Sequence, residues 1–193
     1  CENVYIYLFE TMGEVYNSFK IGNIDFISTS STEYTNYIGT IGYYAKEYKG
    51  RNVDFISINC SDSILSEKSV RKAISYVIDK NNIISNVYNN NYYVSDYPID
   101  YGTFLYNTQS TSLGYNPEQA KTVLQESGWV NKNNKWIKNG KTLSFNLIVN
   151  SSNTKRCEVA EIIKQQLEQV GIIVNIKKVS DSQYMNYLQN KNY

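Results

Sequence analysis

The sequence predicts an α/β fold in which helices cover sheet, and three observations predict it. Short aromatic and β-branched segments alternate with helix-period segments along the chain, the order that builds helix-covered sheets. Hydrophobic residues make up 41% and charged residues 19%, too apolar a balance for a disordered chain. No proline- or glycine-rich linker and no internal repeat divides the 193 residues. They read as one domain, or two small ones, and a domain of that size hides roughly 70% of the surface its unfolded chain exposes.

The elements follow in order. Aromatic and β-branched residues over 4–9 predict a strand. Residues 12–20 set Val15, Tyr16 and Phe19 on one helical face and stop near Gly22. Ile24 and Phe26 predict a brief strand, and residues 32–38 a second short helix. Strands are predicted over 42–49 and 53–59, separated by Gly50. Ser66 is the expected cap of a strong helix in which Val70, Ala73, Ile74 and Val77 recur at i, i+3, i+4 and i+7. Ile83, Ile84 and Val87 predict another helix after Asp79. Residues 89–114 are polar, tyrosine-rich and interrupted by Pro98, and predict a long loop of the kind that binds ligands on a rigid scaffold.

Asn116 and Pro117 announce the next helix as cap and first residue, with Gln119 at capping-box spacing and Gly128 ending it. Asn139-Gly140 predicts a tight hairpin turn, because both residues tolerate positive φ. A strand over 143–149, a helix over 154–170 stopped by Gly171 and a strand over 172–179 come next. Asp181 is the expected cap of a last helix.

Composition excludes several function classes. Lys+Arg 19 against Asp+Glu 18 leaves a net charge of +1, which gives no electrostatic footprint for nucleic acid. The absence of histidine removes His-based general bases, Ser-His and Cys-His dyads and His-ligated metals, though not carboxylate or lysine chemistry. Cysteines 1, 60 and 157 have no CxxC spacing, so no zinc, other metal or cofactor site is expected. Cys157, and Cys60 after it, read as small buried apolar groups. Cys1 reads as a fragment edge in preference to the lipid-bearing first residue of a lipoprotein. No apolar run of membrane-spanning length is present. The 19 tyrosines suit a recognition surface, each offering a rigid ring and one hydroxyl.

Four segments resemble the family 5 extracellular solute-binding proteins, the dipeptide/oligopeptide-binding proteins of ABC transporters. Asn17-Ser18-Phe19-Lys20-Ile21-Gly22-Asn23-Ile24-Asp25 is similar to the family's step from helix to glycine to Ile-Asp. Ser69-Val70-Arg71-Lys72-Ala73-Ile74-Ser75-Tyr76-Val77-Ile78-Asp79-Lys80 resembles its most recognisable helix. Tyr115-Asn116-Pro117-Glu118-Gln119-Ala120-Lys121, with Leu124, Ser127, Gly128 and Trp129, resembles its Tyr-x-Pro-Glu segment, and Gln165, Leu167 and Gly171-Ile172-Ile173-Val174 resemble a fourth passage. The four stand in the family's order over nearly the whole chain. The resemblance implies a type II periplasmic-binding-protein-like lobe, a mixed β-sheet covered by helices, facing a second lobe across a cleft. It implies that residues 1–193 are a single C-terminal-lobe fragment, soluble and monomeric. The partner lobe is then built largely from preceding sequence, and the acidic anchor for a peptide amino terminus lies beyond Tyr193. It further implies a peptide ligand, an ABC-transporter permease as partner, no catalysis and no cofactor. The full-length protein is expected lipid-anchored at the extracellular face of the membrane, or in the periplasm.

Two groups of residues are candidates for ligand contact. Asn150, Ser151, Ser152 and Asn153 lie between a strand end and a helix start, where free N–H groups and the helix dipole favour an anion or carbonyl. Arg156 and Lys155 add charge, and the alternative is ordinary helix capping. Tyr92, Tyr93, Tyr97 and Tyr101, with Asp96 and Asp100, stand in the long loop, where rings beside polar groups suit varied side chains. The alternative there is a loop packed on its own sheet. Asn59 reads as a turn residue, Arg71 with Asp79 as a structural pair or a solvated face, and Trp129 and Trp136 as packing. The competing functions are a ligand-sensing lobe of a regulator, a binding protein for a sugar or metal chelate, and a carboxylate hydrolase resting only on Asp96 and Asp100.

Overall fold

The computed structural model describes residues 3–29, 32–48, 50, 52–97 and 113–193. It divides into two compact units, Cys1–Tyr48 and Lys49–Tyr193.

In the first unit Thr11 opens α1 (Met12–Lys20) with a complete capping box. Its hydroxyl accepts the Glu14 N–H at 3.3 Å while the Glu14 carboxylate accepts the Thr11 N–H at 3.4 Å, which satisfies donors that a helix start leaves orphaned. A 3-10 helix, Thr32–Tyr37, supplies Tyr37. Tyr16 of α1 stacks on that ring at 6.2 Å, and Phe19 meets its edge at 5.6 Å. The strands predicted near 4–9, 24–26 and 42–49 do not form among the described residues. Their composition suits a pleated surface, but a strand exists only where a neighbour completes the hydrogen-bond ladder. Val4, Ile6 and Leu8 accordingly remain exposed.

The second unit holds the helical core. In α2 (Lys68–Val77) the predicted stripe of Val70, Ala73, Ile74 and Val77 is buried. Its cap is Glu67, one residue later than the predicted Ser66, and the Glu67 side chain makes no capping bond. Arg71 folds back instead, donating to the carbonyls of Leu65 and Ser66 at 2.9 and 2.7 Å. Asp79 is engaged elsewhere, capping α3 (Lys80–Tyr88) by accepting the Asn82 N–H at 3.0 Å, so the pair predicted between Arg71 and Asp79 is replaced by two local roles. Residues 53–59 make no strand; Asn59 turns the chain by accepting the Ser61 N–H at 3.0 Å.

Asn116 caps α4 (Pro117–Glu126) as predicted, and this helix buries Ala120 and Leu124 while packing on α2. Strands β1 (Val130–Lys132), β2 (Lys135–Lys138) and β3 (Lys141–Thr142) form an antiparallel sheet. The Asn139-Gly140 turn has φ of 51° and 75°, the positive pair its sequence predicts. A second turn of the same kind at Asn133-Asn134, φ 50° and 56°, joins β1 to β2.

Strand β4 (Ser144–Asn150), α5 (Thr154–Gln169) and β5 (Ile173–Val179) form a β-α-β unit with parallel strands. The mixed pairing expected of one sheet is thus shared between an antiparallel three-stranded and a parallel two-stranded sheet. Trp136, Leu124, Leu143, Leu167, Ile172, Val70, Val77 and Val174 are fully buried between these layers, each aliphatic side chain stabilising by about 1.5–3 kcal/mol. Cys60 is exposed rather than buried, since no strand carries it inward. Cys157 is half-buried, its thiol directed to the Asn150 carbonyl at 3.4 Å.

Candidate ligand-binding edge

Parallel register fixes where the first candidate group sits. Asn150 pairs with Val179 at the ends of β4 and β5, so α5 and the last helix, α6 (Asp181–Gln189), start from the same edge. The carboxyl edge of parallel strands is where open α/β sheets bind ligands. Asn150 donates through Nδ2 to Asp181 and accepts the Ser152 N–H at 3.0 Å. Ser152 Oγ lies 2.9 Å from Asn150 Oδ1 and 3.0 Å from Asp181 Oδ1. The Ser151 N–H donates to the Val179 carbonyl at 2.8 Å. Asn153 caps α5 by accepting the Arg156 N–H at 3.0 Å. Ser180, rather than the predicted Asp181, caps α6 in a capping box with Gln183, which leaves the Asp181 carboxylate to bind the turn across the edge. The turn is therefore held by its own hydrogen bonds, and Asn153 fills the capping role its residue type favours.

Arg156 reaches out from the first turn of α5 and donates to one oxygen of Asp54, Nη2 at 2.6 Å and Nε at 3.2 Å. Both side chains are half-exposed. The hydrogen bond to Asp54 raises the Arg156 pKa above its ordinary value against the opposing effect of partial burial. Lys155, its neighbour, pairs instead with Glu158 at 3.2 Å.

The second candidate group follows α3 in the chain. Tyr92 packs on Tyr88 of α3, ring centroids 4.1 Å apart. Burial, then the nearby Asp54 carboxylate and Tyr92, push the Tyr88 pKa up, while Arg156 opposes them. Asp96 is held by Lys80 Nζ at 2.5 Å, a cation that also donates to the Ser95 carbonyl at 3.3 Å, and the Ser95 hydroxyl donates to the Tyr97 carbonyl at 2.7 Å. Tyr92 and Tyr93 are exposed. Asp100 and Tyr101 lie outside the described residues, as does Cys1.

Asp54 is a contact of the edge that the sequence does not single out, and Asp181 is one that it reads only as a helix cap. Asp54 and Arg156 are 102 positions apart, and only the one-sided charge of Lys155 and Arg156 at a helix start hints that an anion is supplied from elsewhere. Two open hollows lie apart from these residues. One, of about 440 Å³, is lined by amides of α3 and α5 including Asn82, Gln165 and Gln166; the other, of about 240 Å³, lies on α6. Among the described residues no three His, Cys, Asp or Glu side chains converge to hold a metal.

Comparison with known proteins gives this arrangement relatives. The family described as bacterial extracellular solute-binding proteins, family 5 Middle, matches residues 6–193. Oligopeptide-binding protein AppA of Bacillus subtilis is 26% identical over 184 residues, which is 90% of this chain and 33% of that protein. Heme-binding protein A of Haemophilus influenzae is 29% identical over 131 residues, 67% of this chain and 22% of that protein. The solved structure of Bacillus subtilis AppA in complex with a nonapeptide aligns with a TM-score of 0.69 at 24% identity, covering 91% of this chain and 36% of that one. The chain therefore spans about a third or less of the length of these relatives.

Proposed function

The chain belongs to the bacterial extracellular solute-binding proteins, family 5, and from that membership we propose that it is one lobe of a protein that captures peptides between two lobes for an ABC importer. In this reading residues 1–193 form a single lobe, and the rest of the protein supplies the opposing jaw. The membrane permease is the partner that receives the ligand. The protein acts at the outer face of the cell membrane, held there by lipid, or in the periplasm. Its work is binding rather than catalysis.

One observation carries the reading: α5 and α6 start from one edge of the parallel strands, and Arg156 in the first turn of α5 holds Asp54 there. Asn150, Ser151, Ser152, Asn153 and Arg156 then offer polar contacts to ligand backbone. Tyr92, Tyr93, Asp96 and Tyr97 offer rings and hydrogen-bonding groups to its side chains, a combination suited to ligands of varied sequence. Because this edge is open, affinity depends on closure by the second lobe, which removes water from both faces at once.

Calorimetry of the full-length protein with a synthetic nonapeptide and with the same amino acids unlinked tests the proposal. Saturable, roughly micromolar or tighter binding of the peptide, with none for the free amino acids, is expected. No binding of the peptide would overturn the peptide reading. Similarity to heme-binding protein A favours a second reading, a non-peptide solute, which mass spectrometry of ligand copurified with the full-length protein would reveal.

A further inference from the structure

We propose that the Asn139-Gly140 turn is a site of spontaneous covalent modification, where the asparagine converts to isoaspartate without an enzyme and loosens the hairpin that holds Glu67. The inference is independent of which ligand the protein binds.

Cyclisation of an asparagine needs a side-chain amide free to turn and a following main-chain nitrogen free to lose its proton. It also needs that nitrogen unshielded by a side chain. Asn139 is the only asparagine of the chain followed by glycine, and both residues are exposed. A Cβ built on Gly140 would meet nothing within 4 Å, so the turn is open to water. Among the described residues the Asn139 side chain has no hydrogen-bond partner and the Gly140 N–H donates to none. Neither reacting group is tied up. Asn150, which precedes a serine, is held: its amide donates to Asp181 and accepts the Ser152 N–H at 3.0 Å. Asn17, also before a serine, lies inside α1, whose hydrogen-bond ladder engages the next N–H.

The reaction uses water and its hydroxide alone. Hydroxide removes the Gly140 amide proton, and the nitrogen attacks Asn139 Cγ. A new N–C bond forms as the Cγ–Nδ2 bond breaks, and Nδ2 leaves as ammonia with a proton from water. Water then opens the cyclic imide. Addition at Cγ gives an aspartate; addition at the Asn139 main-chain carbonyl gives isoaspartate. The isoaspartyl main chain runs through Cβ and Cγ and is longer by a methylene. Nothing is oxidised or reduced.

This turn tolerates little lengthening. Its φ values of 51° and 75° match a two-residue loop to the twist of the flanking strands. Strand β3 is held in register by two pairs alone, Ile137 with Thr142 and Lys138 with Lys141. Lys138, the residue before the modified position, holds Glu67 at 2.8 Å. A longer turn therefore disturbs the register that aims this cation.

The test incubates the full-length protein in mildly alkaline buffer and follows each asparagine by peptide mapping, with enzymatic methylation to detect isoaspartate. The inference expects conversion at Asn139 about tenfold faster than at Asn17 or Asn150, and faster still as pH rises and ionises the Gly140 nitrogen. The converted protein should unfold at a lower temperature than Asn139→Asp, which carries the same charge through a main chain of normal length. Conversion at Asn139 no faster than at Asn17 and Asn150 would overturn the inference. So would a converted protein as stable as Asn139→Asp, because the lengthened turn would then disturb nothing. The rates are read on the wild type and need no variant to fold.

Discussion

Trp136 donates its indole N–H to the main-chain carbonyl of Val170 at 2.8 Å while only 1% of its own surface is exposed. One side chain of the antiparallel sheet thereby satisfies an orphan carbonyl at the end of α5, filling the core and ending a helix together. Trp136→Phe keeps most of the volume but strands that carbonyl. It should cost about 1–3 kcal/mol, and Trp136→Ala about 3–5 kcal/mol. Denaturant midpoints of the two variants check the order, and an unchanged midpoint for Trp136→Phe would show that the hydrogen bond contributes nothing.

Gly171 is fixed by a similar closeness. Its φ is 88°, and a Cβ there would lie 2.8 Å from the Asn134 carbonyl oxygen. Gly171→Ala meets both a left-handed backbone cost of about 1–2 kcal/mol and a main-chain clash. Thermal unfolding should therefore show a larger loss than for Gly140→Ala, where φ is positive but the space is open. Equal losses would mean that the approach to Asn134 is not restrictive.

Glu67 predicts an acid-sensitive joint. Partial burial opposes its charged form, but hydrogen bonds from Lys138 Nζ at 2.8 Å and Trp129 Nε1 at 3.2 Å prevail and hold its pKa below the ordinary value. A carboxyl with a depressed folded pKa contributes stability that is fully present above its unfolded pKa. That contribution is lost as pH falls through the folded value. Stability measured against pH should fall less steeply on the acid side for Glu67→Gln than for the wild type; parallel curves would contradict the assignment.

What the sequence revealed and what it hid follow from the range of the forces involved. The stripe of α2, the Asn116 cap and the Asn139-Gly140 turn are set by neighbours within a few residues and are legible in the sequence. Strands predicted over 4–9 and 53–59 do not form, because residue type records composition whereas a strand requires a distant partner. Ser66 is the cap that residue type favours, whereas the helix starts one residue later with Glu67 as its cap and Arg71 bonding the Ser66 carbonyl. At the site, the turn 150–153 was readable as a strand-to-helix junction. The counter-ion of Arg156 was not, because Asp54 approaches from 102 residues away. Tyr92 stands out by residue type, while Tyr88, the ring it packs on, reads as ordinary helix.

Asn153 separates capping from ligand contact. Its side chain accepts the Arg156 N–H at 3.0 Å, so Asn153→Ala should cost about 1 kcal/mol, and Asn153→Ser or Asn153→Asp much less. Thermal melts of the three variants test this. A loss as large in the serine variant would show that the side chain does something other than cap.

The account's central claim is that peptides meet this chain at the carboxyl edge of β4 and β5. Hydrogen exchange on the full-length protein, with and without a saturating nonapeptide, tests it most directly. The account predicts that the peptide slows exchange at 150–157, around Asp54 and at 88–93, while the amides of β1 to β3 stay unchanged. Slowing confined to α6 or to the hollow lined by Asn82 and Gln165, with the Asn150 turn and Asp54 unaffected, would contradict it.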